Sequence, residues 1–441
     1  MQATRYELIG EQLYTETLPN GLRVALLPKA GYSKTYAVFT TRYGSVDNDF
    51  QVDSGTRHQV VDGIAHFLEH KLFEEEWGDV FHDFATQGAS ANAFTSHDRT
   101  AYLFSATSGI EKNLGTLLDF VQRPYLTPES IEKEKGIIEQ EIRMYDDMPF
   151  WRGYRHLLEC LFVASPVRID IAGTVESIRR IDQAALMACY ETFYHPSNMM
   201  LAVVGDFEPE SIMTLIQNNQ AAKTFAPPRS IQRFTPAEPG TIQQARHEIQ
   251  MAVSRPLVLL GWKDAAVLEE SDHLQRELCM AIVQDVLFGA VSPLAQGLLD
   301  QGLIDDAPSC DYEIGSGYGF SYIGTETDDP VAFEAAIRDG LARALTNGLD
   351  ADDFERSRRK HLGDYVRGLN SPEAIANQLT DIGFKGQDFF QIPDLIATLS
   401  LSDANAALRS HYRLEQTAVS IVWPNGDAVD DENEEEEPDA V

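Results

Sequence analysis

The chain has 441 residues, 43% hydrophobic and 24% charged, with a formal net charge of −34. That length supports two or more domains with proper cores. The acidic balance argues against nucleic acid and anionic membrane as main partners, because both select basic surfaces.

The opening Met-Gln-Ala-Thr-Arg-Tyr-Glu-Leu lacks the basic-then-apolar pattern of a secretory leader. No apolar run is expected to approach a membrane span. Residues 21–29 follow an Asn20-Gly21 turn and read as a strand; residues 36–43, rich in Val, Phe and Thr, read as a second. A helix is predicted over 60–75. The small residues of Gly88-Ala-Ser-Ala-Asn-Ala-Phe-Thr-Ser96 allow close approach of another backbone. A strand over 99–105 and an amphipathic helix over 110–122 follow, the latter with Leu114, Leu117, Leu118 and Val121 on one face. Residues 128–144 read as an acidic helix opened by Pro128 and Glu129. Residues 198–206 read as a buried strand. The cysteines Cys160, Cys189, Cys279 and Cys310 form no CxxC pair and read as core residues of a reducing compartment. A cytoplasmic protein is the simplest expectation.

The 60–75 helix carries Gly63-Ile-Ala-His-Phe-Leu-Glu-His70. On a helix, His66 and His70 lie one turn apart on one face, with Glu69 beside them. Neutral imidazoles at that spacing suit zinc, and a neighbouring carboxylate suits a general base. H-x-x-E-H is the inverse of the commoner H-E-x-x-H. An open catalytic zinc needs a third protein ligand. Glu134 and Glu141, seven apart on the 128–144 helix, share a face two turns distant.

Residues 223–240 hold Pro227, Pro228, Pro236 and Pro239 and read as a linker between residues 1–222 and 241–426. The second half weakly repeats the first, in preserved order. Leu126 to Lys133 matches Leu349 to Arg356, Phe84 to Gly88 matches Leu298 to Gly302, and Tyr190 to Asp206 matches Tyr412 to Asp427. Ser357 stands where Glu134 does, and nothing matches the His pair, so the second half is expected to carry no metal. Residues 427–441, with nine acidic side chains, read as a disordered tail.

Together these features resemble the pitrilysin-type (inverzincin) zinc peptidases, which include insulin-degrading enzyme and the mitochondrial processing peptidase. The resemblance spans nearly the whole chain and is densest at residues 63–70, 88–96 and 134–141. It implies an α+β fold of two homologous domains, each a mixed, mainly antiparallel sheet packed with helices and related by pseudo-twofold duplication. It implies Zn2+ bound by His66, His70 and Glu141, with Glu69 as general base and Glu134 supporting the site. Asn92 and Ala93 would lie on an edge strand to which substrate adds as a further strand. The implied function is endopeptidase action on short or unfolded peptides in a closed chamber, as the metal-bearing subunit of a heterodimer. An inactive structural or peptide-binding subunit is the alternative. The family's substrate-gripping Arg and Tyr are missing from Gly297-Leu-Leu-Asp-Gln-Gly-Leu-Ile-Asp-Asp306, where Leu299 replaces the Arg. A homologous partner subunit is therefore expected to supply that pair; otherwise the chain would form a homodimer.

Overall fold

A computed structural model describes residues 1–7, 9–266 and 268–425. The expected acidic tail lies outside the described residues. Two mixed sheets organise the chain. The first has seven strands in the order Gln2–Tyr6, Glu11–Thr17, Arg23–Pro28, Met199–Gly205, Thr35–Thr41, Thr100–Ala106 and Ala89–Thr95. Only the Arg23–Pro28 and Met199–Gly205 pair is parallel. The second has five, in the order Arg246–Met251, Ala418–Pro424, Leu257–Lys263, Tyr318–Glu326 and Ser309–Gly315, again with one parallel pair, the first two. Five strands of the first sheet thus recur in the second in the same order and sense.

The duplicated helices fall where the sequence matches put them. Val80–Thr86 and Pro293–Asp300 each precede an edge strand, and Pro128–Asp146 and Ala351–Gly368 each follow a helix that returns from the sheet. Ser357, in the place of Glu134, is buried and bonds the Ile282 carbonyl at 3.4 Å.

The strands read as continuous apolar runs because both faces of each sheet are covered. Along Arg23–Pro28, Val24 and Leu26 enter one core, while Ala25 and Leu27 enter another. The second core is closed by Ile375, Ala376, Leu379 and Ile382 of helix Pro372–Phe384, which comes from the other half of the chain. The reverse also holds. Helix Pro149–Leu161, from the first half, lays Leu157, Leu158 and Leu161 on Leu259 and Phe320 of the second sheet. A Cβ at Gly261 would stand 3.0 Å from methyls of both Leu157 and Leu161, so glycine sets this close approach. Each fully buried leucine contributes about 1.5–3 kcal/mol. The halves are interlocked, each covering a sheet of the other.

Several expectations need correction. The helix predicted over 60–75 is Ile64–Leu72. It starts late because Gly63 has φ 88°, and a Cβ there would meet the Ala172 carbonyl oxygen at 2.4 Å. It ends early because Glu74–Glu75 pairs with Gly78–Asp79 as a short ladder. Residues 223–240 are not a bare spacer. Ile231–Arg233 forms a strand against Asp49–Val52, Arg233 bonds the buried Asp47 at 2.8 Å, and Glu238 accepts from three successive N–H groups of residues 163–165. The stretch 270–300, helices Glu270–Phe288 and Pro293–Asp300, contains a segment long and apolar enough to cross a membrane by length and composition. This overturns the expectation that no run approaches that length. In the fold the stretch breaks between Phe288 and Pro293, and Met280, Ile282, Val283, Phe288 and Leu298 fill the second core.

Candidate metal centre

Helix Ile64–Leu72 buries Ile64, Ala65, Phe67, Leu68 and Leu72 in the first core. The 3.6-residue period leaves His66, Glu69 and His70 on the other side. Helix Pro128–Asp146 crosses this face. Thr127 and Ser130 form a reciprocal capping box at its start, and Ile131, Ile138 and Ile142 anchor it in the same core. The spacing of those anchors turns Glu134 and Glu141 toward the imidazoles.

His70 Nε2 lies 3.3 Å from Glu141 Oε2, and His66 Nε2 lies 3.7 Å from Glu141 Oε1. One donor atom from each of His66, His70 and Glu141 falls within 4.8 Å of the others, the one such metal-type group among the described residues. Glu141 Oε2 is buried without a hydrogen bond. Glu134 does not join this focus; its Oε1 holds His70 Nδ1 at 3.0 Å from behind. Glu69 is 9% exposed, and its Oε2 accepts from Thr95 Oγ1 at 2.7 Å.

Burial, then the neighbouring His70, pushes the His66 imidazole down to about 4, so it stands neutral with a free lone pair. Burial alone would also lower His70, but the Glu134 hydrogen bond and the nearby Glu141 and Glu69 carboxylates outweigh it and raise the ring to about 10. The focus thus favours a positive charge. Burial raises Glu69 above the usual carboxylate range, and the Thr95 bond partly offsets this. Two nitrogens, one carboxylate and an unsatisfied buried oxygen fit a zinc ion with an open position.

Asn92 and Ala93 lie on Ala89–Thr95, which pairs only with Thr100–Ala106 and is therefore the edge of the seven-stranded sheet. Asn92 is exposed, and its Oδ1 accepts from its neighbour's Ala93 N–H. The edge strand, both histidines, Glu69 and Glu141 share a cleft of about 450 Å³. Sequence reasoning missed other members of this wall: Thr95, His97, Tyr145, Trp151 and Arg168. Tyr145 was within reach, since it stands one turn beyond Glu141 on the same helix. His97 is another such member. It is buried, 3.0 Å from Ser45 Oγ, and lines the cleft. His82 is exposed, His195 caps the turn Pro196–Asn198, and His156 stacks on His247 at 4.1 Å. Leu299 packs on the second core.

A second polar cluster invites comparison. Ser321 Oγ, His411 and Asp264 are linked by bonds of 2.7 Å and 2.7 Å in the order of a serine hydrolase triad. Ser321 and His411 are fully buried, and Arg276 and Tyr312 also bind Asp264. With its serine and histidine closed off from solvent, this relay is structural.

The pattern of the family described as "Insulinase (Peptidase family M16)" matches residues 45–174, and that of "Peptidase M16 inactive domain" matches residues 180–360. The chain is 45% identical over 421 residues to "Uncharacterized zinc protease YmfH" of Bacillus subtilis, covering 95% of this chain and 98% of that one. The crystal structure of an M16-like peptidase from Alicyclobacillus acidocaldarius superposes with a TM-score of 0.92 at 42% identity, covering 94% of this chain and 99% of that one. Pitrilysin shares the fold at 17% identity and a TM-score of 0.73; this chain covers 46% of its length. The chain belongs to peptidase family M16, as a half-length member that joins an insulinase-type domain to the family's inactive domain.

Proposed function

We propose that this chain is a zinc-dependent endopeptidase acting on short or unfolded peptides, with His66, His70 and Glu141 holding the ion. The observation that carries this reading is the convergence of those three side chains within 4.8 Å, with Glu69 on the same helix face. A zinc ion, when bound, polarises a peptide carbonyl and acidifies water. Glu69 serves as general base. Its Oε2 is tied to Thr95, which leaves Oε1 to take a proton from the attacking water and pass it to the leaving amine. Its raised proton affinity brings it closer to working pH than an exposed glutamate. Glu134 fixes the His70 tautomer, so that Nε2 presents a lone pair. A peptide would add along Ala89–Thr95, with its backbone held at Asn92 and Ala93 and few side chains read.

Among the described residues none of the second half lines the cleft, and the family's Arg and Tyr positions hold Leu299 and no Tyr. This supports a homologous partner subunit closing the site. All four cysteines are free, which supports work in a reducing cytoplasm. The second reading, an inactive subunit, draws on relatives such as "Cytochrome b-c1 complex subunit 1, mitochondrial" of Bos taurus, 27% identical over 209 residues. The intact donor set favours the enzyme. Zinc content of the purified chain, together with peptide cleavage by wild type and Glu69→Gln, tests it. One zinc per chain in both, with cleavage lost only in the variant, is expected; a chain that takes up no zinc overturns it. Full-rate cleavage by the chain alone would remove the partner.

A further inference from the structure

The cleft holds a charge that peptide hydrolysis does not use. Arg168 lines it together with His66, Glu141, Thr95 and residues 169–172. Arg168 is exposed and makes no ion pair or side-chain hydrogen bond among the described residues. Its neighbour Arg155 is already committed, 2.8 Å from Asp146. Asp170 is engaged by the Ala172 N–H at 2.9 Å.

The backbone beneath Arg168 is held firmly. Ser165 caps the turn Pro166–Arg168, and Glu238 accepts from the N–H groups of Val163, Ala164 and Ser165 at 2.9, 2.8 and 2.7 Å. A ligand would therefore order only the side chain, which keeps the entropic cost of binding low. A guanidinium presents a planar fork that matches a carboxylate with two parallel bonds.

We propose that Arg168 is a specificity residue that binds a carboxylate of the peptide substrate. This rests on the peptidase reading above. Residues 92–95 of strand Ala89–Thr95 line the same cleft as Arg168. A peptide added to that strand turns alternate side chains toward the cleft. The carboxylate is then an Asp or Glu side chain of that peptide.

The test measures binding by the full chain carrying Glu69→Gln, with and without zinc. Fluorescence polarisation would use short peptides, acetylated and amidated, that differ by one Glu, Gln or Lys scanned through the sequence, plus one set with a free C-terminus. At one position the Glu peptide should bind about tenfold more tightly than its Gln twin. Arg168→Gln should bring that ratio to about one, and Arg168→Glu should favour the Lys twin instead, an inversion that a structural role would not produce. A Glu preference that survives both variants overturns the proposal, as does equal binding of Glu and Gln peptides by the parent. Discrimination confined to free C-termini overturns the side-chain assignment. Wild-type protein that binds these peptides yet never cleaves them would sink the peptidase reading while leaving Arg168 as the reader.

Discussion

Glu134 offers the sharpest test of how the centre is built, because it touches no donor atom of the focus. Its Oε1 stands 3.0 Å from His70 Nδ1, and its side chain is 11% exposed. As acceptor it fixes a proton on Nδ1, so Nε2, 3.3 Å from Glu141, is the nitrogen that gives up its proton to a metal ion. Supports of this kind typically contribute 10–100-fold to metal affinity, which is about 1.4–2.7 kcal/mol. Glu134→Ala removes the acceptor and its charge and should reach the upper end of that range. Glu134→Gln keeps an acceptor oxygen but loses the charge and should fall near the lower end. Zinc affinity is measured by competition against a chromophoric chelator at fixed pH, and the melting temperature of the metal-free proteins controls for packing. An alanine variant that binds zinc within about twofold of wild type refutes the argument that orientation of His70 matters. So does a glutamine variant weaker than the alanine one.

Removing zinc by chelation should lower the melting temperature, and readdition should restore it; at a thousandfold excess over Kd the linkage amounts to about 4 kcal/mol. A melting curve indifferent to chelator would contradict a bound ion. Leu157→Ala, in the helix that one half lends to the other, should cost about 2–5 kcal/mol in urea unfolding. The loss should appear in a single transition shared by Trp262 fluorescence and far-UV circular dichroism; two separate transitions would refute the interlock. Burial holds the His411 imidazole below its ordinary value, so the unfolded chain binds the extra proton. Stability from this group is complete above about pH 6.5 and falls as the pH drops below it, by up to about 1.4 kcal/mol per pH unit. His411→Asn should flatten that part of the profile, and an unchanged slope would assign it elsewhere.

The sheets and their duplication were legible because β-branched and aromatic runs mark strands, and because turn and helix-start residues recur in order. The His pair was legible from a four-residue spacing alone. The split of labour between Glu134 and Glu141 was not, since a seven-residue spacing only places two carboxylates on one face. Which of them meets the ring nitrogens facing the cleft depends on how Ile131, Ile138 and Ile142 seat the helix. The borrowed helices were hidden for a related reason. An amphipathic pattern over 149–161 announces a buried face but not the sheet that buries it, and that sheet lies a hundred residues downstream. The apolar stretch over 270–300 exceeded what local reading suggested because the core it fills is fed from every side.

The exchange of helices explains why a half without metal is retained in the architecture. Helix Pro149–Leu161 forms one wall of the cleft through Trp151 and Arg155, while Leu157 and Leu161 rest on Leu259 and Phe320 of the second sheet. A wall residue displaced by even an ångström costs catalysis heavily, so the wall must be rigid. Rigidity comes from the buried side of the helix, not from the side that meets substrate. On the proposed reading the second domain supports the cleft through this helix, while none of its own described residues belongs to the metal-type group. On this argument, substitutions at Gly261 that push helix Pro149–Leu161 off its sheet should disturb peptide binding before they disturb zinc, since the helices that carry both histidines and Glu141 are anchored in the first core and not in the interlock.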